Sequence, residues 1–226
     1  MLVRLLLPLL ILCLGSIQTA HAARWFEIEI LVFKRNVNPA NSAENWDFSL
    51  PMHARSEGMQ VMNSLNYGDV PTVVDGRTAH SGSGSFKILP SNQLRLKTPR
   101  NRLASNAAYQ PLLHMGWQMP VRNSIDAKPA HLIGGKYFTD IPLKAEQSDG
   151  GPVFELDGMF RVYLQHYLYI ESEFLLREPV SASGDGSSLD SYLHQYPFKQ
   201  KRRVKSGEIH YFDHPLMGML VQIRRM

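Results

Sequence analysis

The sequence predicts an α+β fold: a mainly antiparallel sheet of about five or six strands, one or two short helices and long irregular loops. Three observations predict it. Alternation of apolar and polar residues with a period of two runs through several segments. Thr98-Pro99 supplies a helix-start signal, and tracts rich in Asn, Ser, Gly and Pro separate the patterned segments. A chain of 226 residues can bury roughly 70% of its unfolded surface, so one sizeable core needs no staple. A single domain over residues 23–226 is expected.

Residues 1–22 read as a secretory signal. Arg4 opens a short basic region, Leu5 to Ile17 form the apolar stretch, and Ala20-His21-Ala22 offers small residues for cleavage. Roughly 7–15 apolar residues suit such a signal, whereas a membrane-spanning helix needs about 20. No later segment is both that long and uncharged, so no transmembrane segment is expected after cleavage. Cys13, the one cysteine, lies inside the signal, and bulky Leu12 precedes it where a lipoprotein anchor requires a small residue. The mature chain then has no thiol, which excludes disulfides, Cys-ligated zinc and cysteine nucleophiles. With 24 Lys+Arg against 20 Asp+Glu and a net charge of +4, the balance does not favour nucleic acid as a partner.

The first strand follows at once. In Trp25 to Phe33 the even positions are apolar while Glu27 and Glu29 fall on the odd face, and Leu31 and Phe33 make the second half apolar on both faces, as in a central strand. Residues 36–85 then form a long irregular excursion with little structure of its own, flexible over 76–85. Thr98 is suited to cap a short helix from Pro99 to Ala107, with proline at its first position and Leu103 facing inward. Tyr109 to Trp117 reads as a second strand. His131 to Phe138 is a third, weakened by Gly134-Gly135.

The clearest pattern spans Phe160 to Leu176. Its even face carries Phe160, Val162, Leu164, His166, Leu168 and Ile170; its odd face carries Arg161, Tyr163, Gln165, Tyr167, Tyr169 and Glu171. At about 3.3 Å per residue one strand would run roughly 55 Å, so a bend, bulge or tight turn near Glu171-Ser172-Glu173 is expected. Residues 181–188, rich in Ser and Gly, read as a flexible loop. The tail reads as a hairpin: Tyr196 to Tyr211, interrupted at Ser206-Gly207, then Asp213-His214-Pro215 as the turn and Leu216 to Arg225 as the return arm.

Three constellations bear on function. His210-Tyr211-Phe212-Asp213-His214 matches H-x-x-D-H, which on a helix would set two imidazoles on one face for zinc. Gly207 and Pro215 argue against a helix, and on a strand residues four apart lie some 13 Å apart, too far for one ion. A metal-dependent hydrolase centred on His210 and His214 is the alternative reading; the bland one is a turn stabilised by Asp213. The run Lys199 to Lys205 places Lys199, Lys201, Arg203 and Lys205 on one strand face, either an anion-attracting stripe or protection of a sheet edge. Tyr163, Tyr167 and Tyr169 on the odd face of the long strand, interleaved with Arg161 and Gln165, offer flat rings plus hydrogen-bonding groups that suit a saccharide, unless that face is covered. His166 is expected to be a hydrogen-bonded core histidine, and His114 and Trp117 to pack in the core. No nucleophile elbow, phosphate-binding glycine loop or Ser-x-x-Lys occurs. No catalytic residue and no cofactor is assigned.

The segments Arg24-Trp25-Phe26-Glu27-Ile28-Glu29-Ile30-Leu31-Val32-Phe33-Lys34-Arg35, Leu112-Leu113-His114-Met115-Gly116-Trp117-Gln118, Leu156-Asp157-Gly158 with Tyr167-Leu168-Tyr169, and Arg202 through Pro215 together resemble the CsiV family of periplasmic, peptidoglycan-binding, cell-shape-integrity proteins. The last segment is the most specific. Gln165-His166-Tyr167-Leu168-Tyr169 departs from the Arg-Tyr-Leu-His order expected there, and residues 36–85 match poorly. The resemblance implies a non-enzymatic, soluble periplasmic protein of a Gram-negative bacterium. It also implies peptidoglycan as ligand and, as partners, a class A penicillin-binding protein with its lipoprotein activator. It supplies no binding residues; Tyr163, Tyr167, Tyr169, Lys201 and Arg203 are the candidates from the pattern alone.

Overall fold

The structure, a computed structural model, describes residues 24–38, 60–63, 73–74, 77–78, 87–138, 153–181 and 191–226. Strand β1 (Arg24–Arg35) buries Phe26, Ile28, Ile30 and Val32 on one face and Glu29, Leu31 and Phe33 on the other. A segment buried on both faces needs a neighbour on each side. It has them: β12 (Met217–Arg225) and β6 (Tyr109–Val121) both pair with it antiparallel. β11 (Ile209–Asp213) and β5 (Lys87–Ile88) complete this first sheet in the order β11-β12-β1-β6-β5.

The second sheet runs β10 (Ser191–Val204), β9 (Leu168–Ser181), β8 (Val153–Leu164), β7 (Ala130–Phe138), β2 (Gln60–Asn63). Only β2 is parallel to its neighbour; the other pairings are antiparallel. A small ribbon joins β3 (Val73–Val74) to β4 (Arg77–Thr78). The two large sheets share one core, in which Trp117 of β6 meets Phe160 of β8 edge to face at 5.9 Å. Gly134 lets β7 cross close to β6: a Cβ there would collide with the Leu112 carbonyl and lie 3.2 Å from the Leu113 Cβ. Lys34 ties the sheets together at one end, its Nζ 2.6 Å from Glu155 and 3.5 Å from Glu178.

The α+β expectation is corrected: the fold is mainly β, and among the described residues there is a single eight-residue helix, α1 (Lys97–Ala104), and one 3-10 turn at Ser91–Gln93. The expected single sheet is two, because period-two alternation marks a strand but not the sheet it joins. The long alternating segment is itself two strands, β8 and β9, of the second sheet. Its turn falls at Gln165-His166-Tyr167, not near Glu171. Leu164 pairs with Leu168, so even residues oppose even residues through the whole hairpin. A three-residue connection therefore leaves the alternation in phase, and periodicity cannot reveal it. His166, expected in the core, sits exposed in that turn.

The tail is also divided. Chain reversal at Ser206-Gly207, where Gly207 has φ +90°, carries the backbone from β10 in the second sheet to β11 in the first. β11 and β12 then form the antiparallel pair that the tail pattern predicts. Of the 36–85 excursion, β2, β3, β4 and residues 36–38 are described, and β2 does join a sheet. The segments expected to be a secretory signal and a flexible loop (residues 1–22 and 182–188), and most of the expected excursion, lie outside the described residues.

Helix α1 begins before the proline, at Lys97, and has no side-chain cap of its own. Pro99 is tolerated because the first-turn N–H groups have no helical partner in any case. Glu29 supplies the missing acceptor from β1: its carboxylate accepts the Arg95 N–H at 2.9 Å and the Leu96 N–H at 2.7 Å. His114 Nε2 lies 3.0 Å from the same carboxylate, so this histidine belongs to an ion-paired network on the outer face rather than to the apolar core. Trp117 does pack in the core, 1% exposed. Among the described residues no helix is long and apolar enough to cross a membrane.

Candidate functional site

Because the even residues of β8 and β9 fill the core, their odd residues form the outer face of the second sheet. Pairing of β9 with β10 sets Glu171 opposite Lys201, Glu173 opposite Lys199, and Tyr169 opposite Arg203. Lys201 Nζ reaches Glu171 at 2.8 Å and Lys199 Nζ reaches Glu173 at 2.6 Å. From β8, Arg161 forks onto Glu171 through Nε, at 2.9 Å, and Nη2. The outcome is a ladder of both charge signs three strands wide. Burial alone would push the Glu171 carboxyl up, but Lys201 and Arg161 outweigh it and hold the group below the usual carboxylate range.

Aromatic rings border the ladder. Tyr163 and Tyr169 stack with centroids 5.2 Å apart and planes 11° apart, and the Tyr163 hydroxyl donates to Glu171 at 3.2 Å. Arg161 lies over the Tyr163 ring at 5.2 Å and Lys201 at 5.9 Å. Arg203 covers the Tyr167 ring at 4.5 Å. Such contacts orient the cations and contribute roughly 0.5–1 kcal/mol each at exposed sites. Tyr163 is 3% exposed and Tyr167 54%, so Tyr163 supports the face from beneath while Tyr167 and Arg203 form its surface.

A cavity of about 450 Å³ opens beside the ladder, lined by Pro129, Met159, Arg161, Glu173, Lys199 and Lys201 among others. Pro129 in its lining comes from the loop that follows β6, and the rest of the wall from β8, β9 and β10. Asn123 Oδ1 accepts the N–H groups of Ile125 and Asp126 at 2.8 and 2.9 Å, which fixes the turn. Ser124 then accepts from Arg161 through its carbonyl, at 3.4 Å, and from Gln165 through its hydroxyl, at 2.9 Å. Beyond Met159 the same face becomes buried. Asp157 there accepts from Arg177 Nη1 at 3.1 Å and bonds His131 Nε2. Burial opposes the Asp157 charge, yet the His131 bond and the Arg177 charge hold its carboxyl below the usual range.

The five residues proposed from the pattern, Tyr163, Tyr167, Tyr169, Lys201 and Arg203, thus lie on one continuous patch. Arg161, already read as interleaved with the tyrosines, Glu171, Glu173 and Pro129 belong with them, and the two acids and the proline were missed. The first three were visible as alternating charges, but only the strand register brings them together; Pro129 had no sequence signal.

His210 and His214 do not converge. The segment is strand β11 and its turn, not a helix. His210 Nε2 is engaged by the backbone of Lys205, 3.0 Å from its N and 3.1 Å from its O. His214 accepts the Leu216 N–H through Nδ1 at 3.2 Å and packs edgewise on Phe198. Among the described residues no group of three His, Cys, Asp or Glu side chains is placed to hold a metal ion. The geometry that the hydrolase reading requires is therefore not formed.

Burial lowers the His214 pKa to about 4, with the Pro197 carbonyl and Asp213 pulling upward and Arg35 downward. The unfolded chain takes up this proton near pH 6.5 and the folded one only near 4. Stability is therefore expected to fall as pH drops through that window. Urea denaturation at pH 7.5, 6, 5 and 4.5 measures it, and His214→Asn should flatten the slope.

A family model described as "Peptidoglycan-binding protein, CsiV" matches residues 5–226. No curated protein and no solved structure matches the chain.

Proposed function

Since the chain belongs to the CsiV family of peptidoglycan-binding proteins, we propose that it is a non-enzymatic periplasmic adaptor of a Gram-negative bacterium that holds peptidoglycan on the outer face of its second sheet. The observation that carries this reading is the charge ladder of Arg161, Glu171, Glu173, Lys199 and Lys201 beside an open cavity. A ligand bearing both a carboxylate and an ammonium group finds a partner for each there, and the peptide stems of peptidoglycan carry such groups. Tyr167 with Arg203 adds a ring-and-cation surface at the border, backed by stacked Tyr163 and Tyr169. Support of cell-wall synthesis by a class A penicillin-binding protein and its lipoprotein activator is the cellular role in this reading.

Co-sedimentation with purified sacculi tests the site. The mature protein should pellet at physiological salt and be released as salt rises, because the contacts are exposed ion pairs. Lys201→Ala with Arg203→Ala should weaken retention about tenfold, the scale of one or more lost charge-assisted bonds. A mature protein that stays wholly in the supernatant would refute peptidoglycan binding by this chain, and an unchanged double variant would move the site elsewhere. Cross-linking in cells to the synthase or its activator tests the partner half separately.

A further inference from the structure

The most specific sequence segment, Arg202 through Pro215, is only partly absorbed by the groove, because β11 lies in the other sheet. Its odd residues Ile209, Tyr211 and Asp213 all face outward and are exposed, on the edge strand of the first sheet. Tyr211 does not stand up from that face. Its ring lies parallel to Phe33, planes 7° apart and centroids 6.5 Å apart, and Phe33 in turn is braced edgewise by Tyr109 at 5.7 Å. Gly218, opposite Asp213 on β12, makes the flat arrangement possible: a Cβ there would collide with the Phe33 ring and come within 2.9 Å of Tyr211 Cε2. The resulting ring is 40% exposed, with exposed Ile209 beside it on the strand.

The polar groups at the ring's tip are arranged as a set. The Tyr211 hydroxyl donates to Asp213 Oδ1 at 2.6 Å and accepts from Arg35 Nη2 at 2.7 Å, while Arg35 also bonds Asp213. Donor and acceptor groups are therefore fixed side by side at the edge of an aromatic surface. Asp213 cancels the Arg35 charge, which disfavours an anion such as phosphate. Adjacent hydroxyls of a neutral polyol, each both donor and acceptor, match an Arg–Asp pair, and the C–H face of a pyranose packs on a phenol ring. Tyrosine presents this area at little entropic loss because its ring is already held by its neighbours.

From these contacts we infer that Tyr211, Arg35 and Asp213 form a second binding site, on the sheet opposite the groove, whose ligand is an uncharged saccharide ring of the glycan strand. The site is independent of Lys201 and Arg203. A groove for charged stems on one sheet and a platform for sugar on the other would let one molecule engage both chemical parts of its polymer.

The test uses the mature full chain and chitotetraose, a neutral β-1,4-linked N-acetylglucosamine tetramer free of peptide, in calorimetric titration. Saturable binding is expected, weakened about tenfold or more by Tyr211→Ala and several-fold by Asp213→Ala. Because Tyr211→Ala also removes a packing contact, its thermal melt is compared with the wild type, and Asp213→Ala, altered at an exposed carboxylate, carries the conclusion if Tyr211→Ala melts early. Absence of chitotetraose binding to the wild type overturns the proposal, as does binding that neither variant weakens. Either result leaves sacculus binding through the groove standing, so the two readings fail separately.

Discussion

Replacing Glu29 with alanine is expected to destabilise the protein by about 3–5 kcal/mol, the usual consequence of removing one partner from a buried, hydrogen-bonded charge network. The Glu29 side chain is fully buried beneath the helix. Four groups depend on it: the Arg95 and Leu96 N–H groups, His114, and Arg224, whose Nη2 lies at 3.4 Å. Deleting the carboxylate leaves two backbone donors at the start of α1 without an acceptor, and the positive end of the helix loses its counter-charge. Chemical denaturation measures the loss, and amide exchange should show α1 opening before the sheets. Glu29→Gln keeps an acceptor for one or both amides and should recover part of the stability. Burial opposes ionisation of Glu29, but bonds from His114, Arg95 and Leu96 prevail and set its pKa below the ordinary value. Its contribution is thus present above about pH 4.3 and disappears as pH falls through the lower folded value.

The second large effect is expected at Asp157. Arg177 is 1% exposed and has Asp157 and the Phe154 carbonyl as acceptors, and His131 is 2% exposed. Asp157→Ala leaves a guanidinium in the interior without its counter-charge, again a loss of about 3–5 kcal/mol. The double variant Asp157→Leu with Arg177→Met should be far less damaged than the single one, because no uncompensated charge remains. A double-mutant cycle in urea measures the coupling. An additive cycle would mean that the two groups do not act as a pair. Since the Asp157 pKa is depressed in the fold, the stabilisation is lost only in acid, as pH falls from about 4 through the folded value.

Much of the sheet content was legible because burial on one face leaves a period-two trace. β1 was also placed correctly inside a sheet, since Leu31 and Phe33 add apolar residues to the face that Glu29 shares. The division into two sheets was not legible. Nothing local marks that β11 leaves the sheet of β10 for the other one. The turn between β8 and β9, inside the second sheet, was hidden separately, because even-with-even pairing across Leu164 and Leu168 keeps the pattern continuous. Glu29 was hidden for a different reason. An acid on an alternating strand reads as solvent-facing, and only the tertiary position of Arg95 and Leu96 turns it into a buried cap. At the candidate site, residue types were legible and adjacency was not: Lys201 and Tyr163 are 38 positions apart in sequence, yet register across β8, β9 and β10 makes them neighbours.

β1 is flanked by β6 and β12, so the earliest described strand is secured by the last one. Contacts separated by nearly the whole polypeptide raise the contact order, and closing that large loop must precede its reward. A nascent chain emerging from the ribosome cannot complete this layer until β12 has been synthesised. This sheet is consequently expected to close only after synthesis of β12, with one flank of β1 unpaired in the interval.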